Sequence, residues 1–169
     1  MGNKPGTISL EKDGDNIRLA LEQRSFYRFS LLASQINRAI GRAYVQQYGR
    51  PANGWKVLTV LGYFGPQSAS QINNHTTLEM DKITRIVDGL VDLGFVTRQQ
   101  DSEDRRRVIV ALSAKGKRIN GQIEQMITEM EREFLMVLSA SEREQLYGML
   151  DRLRNRGDQL FKAKQQWRE

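Results

Sequence analysis

Between residues 79 and 112 the periodicity of the chain changes twice. The stretch reads EMDKITRIVDGLVDLGFVTRQQDSEDRRRVIVAL. Its first half repeats apolar residues at three- and four-residue steps, with Ile83, Ile86, Val87, Leu90 and Val91 on one side of a helix that stops at Gly94. Phe95, Val96 and Thr97 then begin a β run. Further on, Val108, Val110 and Leu112 alternate with Arg107, Ile109 and Ala111, the period-two pattern of a half-buried strand. The intervening QQDSEDRRR is too charged to enter a core. The spacing therefore predicts a helix followed directly by a hairpin with an arginine-rich tip.

Signals upstream place two more short helices before this one. Asn53 is positioned to cap a helix over 54–64, whose Trp55, Leu58 and Leu61 share a face, and Gly65-Pro66 stops it. Ser68-Ala69-Ser70-Gln71 has the form of a capping box opening a short helix to about Asn74. Thr76 with Glu79 offers a second box for the helix that follows. Two short helices, a tight connection and a third with a polar N-terminal half make a helix-turn-helix. The hairpin behind it gives the outline of a winged helix, whose helix fits a DNA major groove and whose hairpin reaches the neighbouring minor groove.

Long amphipathic helices are expected on both sides. Residues 1–15 lack periodicity and read as a flexible tail. From about Asn16 to Tyr48 the pattern turns helical, with a break near Gln23–Ser25 and a stripe of Phe29, Leu32, Ala33, Ile36, Ile40 and Tyr44. A second stripe runs Ile119, Ile123, Met126, Ile127, Met130, Phe134 and Leu138. Ser139 to Glu142 then form another capping box, before a last helix carrying Leu146, Leu150, Leu153 and Leu160. The expected organisation is a tail (1–15), an N-terminal dimerisation helix (16–49), a winged lobe (50–116) and C-terminal dimerisation helices (117–169). Such stripes are too long for one protomer, and a two-fold dimer is the simplest way to bury them. The fold class is mainly α, in the α+β sense.

Composition removes other functions. The 169 residues contain no cysteine and one histidine, His75. That excludes disulfides, a thiolate nucleophile and iron–sulfur ligation, and it leaves a Ser-His-Asp triad or a His-rich zinc site without enough parts. No phosphate-cradling glycine loop is visible. We expect no catalytic residues, no metal and no cofactor. For His75 a solvent or backbone contact is expected. No apolar run approaches the roughly 18 residues that span a bilayer, and the first residues lack the apolar stretch of a signal peptide, so a cytoplasmic protein without membrane contact is expected. The net charge is +6. It is +3 over residues 1–49, +4 over 50–118 and −1 over 119–169. Positive charge thus gathers where phosphate would be met.

The run Arg85-Ile86-Val87-Asp88-Gly89-Leu90, with Leu93-Gly94-Phe95-Val96 and Arg98, resembles the recognition helix and first wing strand of MarR-type transcriptional regulators. Asp101-Ser102-Glu103-Asp104-Arg105-Arg106-Arg107-Val108, then Val110, Leu112-Ser113 and Lys115-Gly116, resembles that family's wing signature, D-x-R followed by V-x-L-[ST]-x-x-G. Gly54 to Leu58 and Leu138-Ser139 with Glu142 continue the likeness, which covers roughly residues 26–165. Gly89 departs from it, standing where a long, often basic residue is common.

Candidate DNA-binding residues follow from the helix and the wing together. Arg85 has the fork that fits guanine O6 and N7, Thr84 suits a thymine methyl or a phosphate, and Lys82 supplies charge beside Asp81. A plain solvated helix face is the competing explanation. Arg106 is the candidate for the minor groove, where negative potential is concentrated, with Asp104 holding its guanidinium. Arg105 and Arg107 are placed at phosphates, and Arg98 stands at the wing's root. Ser68, Ser70 and Gln71 could take a phosphate at a helix N-terminus, though capping explains them equally well.

The resemblance implies a homodimeric regulator, most readily a repressor, on a double-stranded, pseudo-palindromic operator. It further implies a small-molecule effector, aromatic or otherwise anionic, whose site the sequence leaves unassigned. Tyr27, Tyr44, Tyr48 and Tyr63 are aromatic candidates for its surroundings. The alternative is a dimeric module that keeps this fold but docks a protein through its basic wing. Salt-sensitive duplex binding separates the two.

Overall fold

The structure, a computed structural model, describes residues 10–13, 16–19, 21–49, 51–101, 104 and 107–163. It divides into two compact units, residues 1–123 and 124–169. In the first, strands β1 (Leu10–Asp13) and β2 (Asn16–Leu19) pair antiparallel, Leu10 opposite Leu19 and Glu11 opposite Arg18. A 3-10 turn at Leu21–Gln23 leads into α1 (Ser25–Tyr48). The helical pattern expected from Asn16 therefore starts nine residues later. The physical reason lies in strand pairing, which runs to Asp13 opposite Asn16 and takes Asn16–Leu19, a spacing that either period can accommodate.

Helix α2 (Gly54–Phe64) follows, then the two-residue strand β3 (Gln67–Ser68), α3 (Ala69–His75) and α4 (Met80–Asp92). Strands β4 (Val96–Gln100) and β5 (Val108–Leu112) form the hairpin. Their register runs from Val96 opposite Leu112 to Gln100 opposite Val108, and β3 adds to β5 for the antiparallel order β3-β5-β4. Helix α5 (Ala114–Phe134) leaves the hairpin and enters the second unit. Tyr44, Val57, Leu58, Ile72, Ile83, Leu90 and Ile123 are fully buried. Each contributes about 1.5–3 kcal/mol of hydrophobic stabilisation. One residue from α1, two from α4 and one from α5 thus share a core with α2 and α3.

Cap chemistry differs from expectation at two places. Ser68 and Gln71 form the reciprocal box, Gln71 N donating to Ser68 Oγ (3.3 Å) and Ser68 N to Gln71 Oε1 (2.8 Å). The Thr76–Glu79 box does not form. Thr76 Oγ1 instead accepts from Leu78 N (3.3 Å), and α4 starts after Glu79 with no side-chain cap. Leu78 is 7% exposed, and the short turn that buries it uses the hydroxyl a cap would need. Asn53 likewise makes no side-chain cap to α2. Val91, expected on the buried stripe, is exposed in the last turn of α4.

In the second unit, a 3-10 turn at Leu135–Val137 separates the end of α5 from α6 (Ala140–Ala163). Ser139 N and Oγ both donate to Glu142 Oε2 (2.8 and 2.7 Å), and Glu142 N donates back to Ser139 Oγ (3.3 Å). The backbone bond first, then the hydroxyl, hold the Glu142 carboxyl below its usual range. Among the described residues no helix is long and apolar enough to cross a membrane.

Candidate nucleic-acid interface

Helix α4 separates its residues sharply by face. Ile83, Ile86, Val87 and Leu90 are at most 7% exposed. The side chains of Asp81, Lys82 and Arg85 are 61, 58 and 80% exposed. Lys82 Nζ lies 3.0 Å from Glu79 Oε2, and Arg85 Nη2 lies 3.9 Å from Asp81 Oδ2. Exposed pairs of this kind contribute only about 0–1 kcal/mol, so either cation can turn to a stronger anion at little cost. Thr84 Oγ1 donates back to Met80 O (3.1 Å).

The end of α4 sets the hairpin's direction. Gly94 N donates to Val91 O (2.8 Å) and Phe95 N to Leu90 O (2.9 Å), with Gly94 at φ +69°. This is a Schellman motif, and its left-handed residue suits glycine. Phe95, 4% exposed, falls on the apolar side of the motif. Three successive carbonyls there are then taken by the segment that follows β5. Ser113 N reaches Phe95 O (3.0 Å), Ser113 Oγ reaches Gly94 O (2.7 Å) and Lys115 Nζ reaches Leu93 O (2.9 Å). Ser113 Oγ also accepts from Gly116 N (2.9 Å), capping α5. A Cβ on Gly116 would collide with Phe95 O. The residues Leu-Ser-x-Lys-Gly thus weld both ends of the hairpin to α4 and α5.

Arg98 on β4 places Nη2 2.6 Å from Asp88 Oδ1 on α4, so the wing's root is tied to the polar side of that helix. Sequence reasoning gives Asp88 no role. The only signal that could have found it is its opposite charge ten residues before Arg98. Towards the tip, Asp101 N donates to Arg107 O (3.0 Å), Arg107 N to Asp104 O (2.8 Å), and Arg107 Nε lies 3.7 Å from Asp101 Oδ2. Arg105 and Arg106 lie outside the described residues, and with them the expected Asp104–Arg106 pairing. On α3, Ser68 and Gln71 are engaged with each other, whereas Ser70 is exposed. Gly89 also gains a reason, because a Cβ there would sit 3.1 Å from Pro51 Cδ. Pro51 fills the space that a longer residue would need.

Of the candidate effector tyrosines, Tyr44 and Tyr48 lie together, their ring centroids 5.5 Å apart. Tyr44 is fully buried beside Gly54, and its hydroxyl finds no hydrogen-bond partner among the described residues. Burial, then the neighbouring Tyr48, push its pKa up to about 12. Burial also raises that of Tyr48, whose hydroxyl donates to Gln122 Oε1 (3.1 Å). Tyr63 is 72% exposed. A cavity of about 420 Å³ lies elsewhere, bounded by Leu61, Gly62, Gly65, Pro66, Ala111, Leu112, Lys117 and Asn120. His75 is exposed, as expected, and also stacks on Phe64 with ring centroids 3.8 Å apart.

Helices α2 to α4 with the β4–β5 hairpin define a winged helix-turn-helix protein. Residues 52–108 match the model of the MarR family. Over 105 residues the chain is 33% identical to the HTH-type transcriptional regulator YcgE of Bacillus subtilis, covering 62% of this chain and 68% of YcgE. The chain belongs to the MarR family of transcriptional regulators and is a DNA-binding regulator. Its fold is similar to that of a MarR/EmrR family regulator from Acinetobacter sp. ADP1, with a TM-score of 0.74 and 24% identity over 83% of this chain and 99% of that one. It is also similar to BpsR of Bordetella bronchiseptica, whose DNA binding is regulated by 6-hydroxynicotinic acid (TM-score 0.68, 16% identity, 79% and 95% covered).

Proposed function

We propose that this regulator binds a pseudo-palindromic operator as a homodimer, represses from it, and is released by a small anionic ligand. The observation that carries the DNA-reading part is the division of α4, with Ile83 and Leu90 fully buried while Asp81, Lys82 and Arg85 project outward. In a helix-turn-helix the first turns of this helix face base edges. Asp81, Lys82, Thr84 and Arg85 take the major groove. Arg106 takes the minor groove, steadied by Asp104, and Arg105 and Arg107 meet phosphates. Arg98 holds the wing against α4 through Asp88 and presents its remaining N–H groups on the same side. Ser68 and Gln71 hold the turn from which Ser70 meets a phosphate.

Dimerisation is supported by the apolar residues that the protomer leaves uncovered. In α1, Ile40 and Tyr44 are buried, but Phe26, Phe29, Leu32 and Ile36 are 75, 47, 41 and 38% exposed. In the second unit Met136, Val137, Met149 and Leu153 are more than half exposed. A second copy covers them. The two recognition helices then meet half-sites one helical turn apart, about 34–36 Å. Ligand release is supported by the cavity beside β5, where Lys117 supplies a cation, and by the behaviour of BpsR.

The test is selection of duplexes from a genomic library, followed by affinity measurements from 50 to 200 mM salt. A fall of about a thousandfold or more across that range is expected for six or more phosphate contacts. No salt-sensitive duplex binding would favour the protein-docking alternative. Arg106→Ala should weaken operator binding at least tenfold and leave the dimer intact. Wild-type affinity in that variant would remove Arg106 from the site.

A further inference from the structure

We propose that Met80 and Thr84 form an apolar reader on α4 that detects the C5 methyl group of thymine. This inference rests on the proposed entry of α4 into the major groove. Met80 opens the helix and is 46% exposed, while every other apolar side chain from 81 to 90 is at most 7% exposed. Its neighbours Glu79, Asp81 and Lys82 are charged and exposed, so the uncovered part of this thioether is an apolar patch in a charged surround. Thr84 stands one turn on, and residues four apart share a helix face. Its hydroxyl proton is committed to Met80 O, a back-bond that Thr can make only by turning Oγ1 into the helix. The donor that might have addressed a base is therefore used internally, and the methyl group is what Thr84 offers outward.

The two side chains thus present contiguous apolar surface beside Asp81 and Arg85, one turn apart on the adjacent column. Of the four base-pair orientations only those with thymine carry a methyl in the major groove. The thioether's polarisability and three rotatable bonds let it adapt to that methyl's position. Arg85 then reads a guanine, and the 80/84 pair asks whether a neighbouring position holds a T–A pair.

The test uses the full-length protein and its selected operator, with each thymine of a half-site replaced singly by deoxyuridine, which removes the methyl and nothing else. Loss of a methyl contact corresponds to about a fourfold loss of affinity. That loss is expected at one or two adjacent positions for the wild-type protein, and it should vanish at those positions in the Met80→Ala/Thr84→Ser variant, in which serine keeps the back-bond. Indifference to deoxyuridine at every position overturns the proposal, as does a sensitivity that persists unchanged in the double variant. An Arg85→Ala/Lys82→Ala protein tested alongside separates the two levels. Full affinity in that variant overturns the placement of α4 in the groove, whereas lost affinity with no deoxyuridine effect overturns only the methyl reader.

Discussion

Single residues at crowded points bear much of this fold. Gly94 adopts φ +69°, and Gly94→Ala would place a Cβ in the left-handed region at a cost of about 1–2 kcal/mol. Chemical denaturation should show that loss, and an unchanged midpoint would contradict the Schellman assignment. Tyr44 makes a different prediction. Its hydroxyl is buried without a partner among the described residues, so Tyr44→Phe should leave stability near neutral pH unchanged or raise it by about 1 kcal/mol. Its folded pKa of about 12 exceeds the ordinary tyrosine value of 10.0, so the folded state holds the proton more tightly than the unfolded one. That contribution is whole below pH 10 and is lost as pH rises towards 12. The wild-type protein should therefore lose stability over that window by more than Tyr44→Phe does, as thermal melts at stepped pH would measure.

At the scale of elements, the hairpin and α4 are legible in the sequence because each has a single period and a clear punctuation mark. The Leu-Gly-Phe turn, the alternation through Val110 and the Ser68–Gln71 box all encode local geometry, and local geometry is what a sequence carries. Pairings across distance are not legible. Only an opposite charge ten residues away marks Asp88 as the partner of Arg98, and nothing near Gly89 announces Pro51. The start of α1 is ambiguous because Asn16 to Leu19 fits either period. Ser113 offers a test of the welded corner. It caps α5 and also donates to Gly94 O, so Ser113→Ala should cost about 1–2 kcal/mol and reduce operator affinity. A variant with wild-type melting temperature would show that Gly116 and Lys115 suffice alone.

For the whole molecule, the exposed apolar faces of α1 and the second unit are the dominant fact. A protomer that leaves Phe26 75% and Val137 86% exposed carries patches of the kind that mark association surfaces. Removing residues 141–169 should yield aggregated or unfolded protein, and a well-folded monomer by sedimentation would contradict the dimer. At the wing tip, Arg105 and Arg106 lie outside the described residues. Sequence pattern names such residues more readily than it positions them.

The corner where Ser113 and Lys115 take the carbonyls of Leu93, Gly94 and Phe95 has a consequence for how such a protein diversifies. None of those bonds involves positions 81, 82, 84 or 85. The residues that fix the helix are thus separate from those proposed to read bases. Operator sequence can then drift by substitution on the outer face without a toll on folding. Exchanging those four residues together should move the preferred site while leaving the melting temperature within a few degrees.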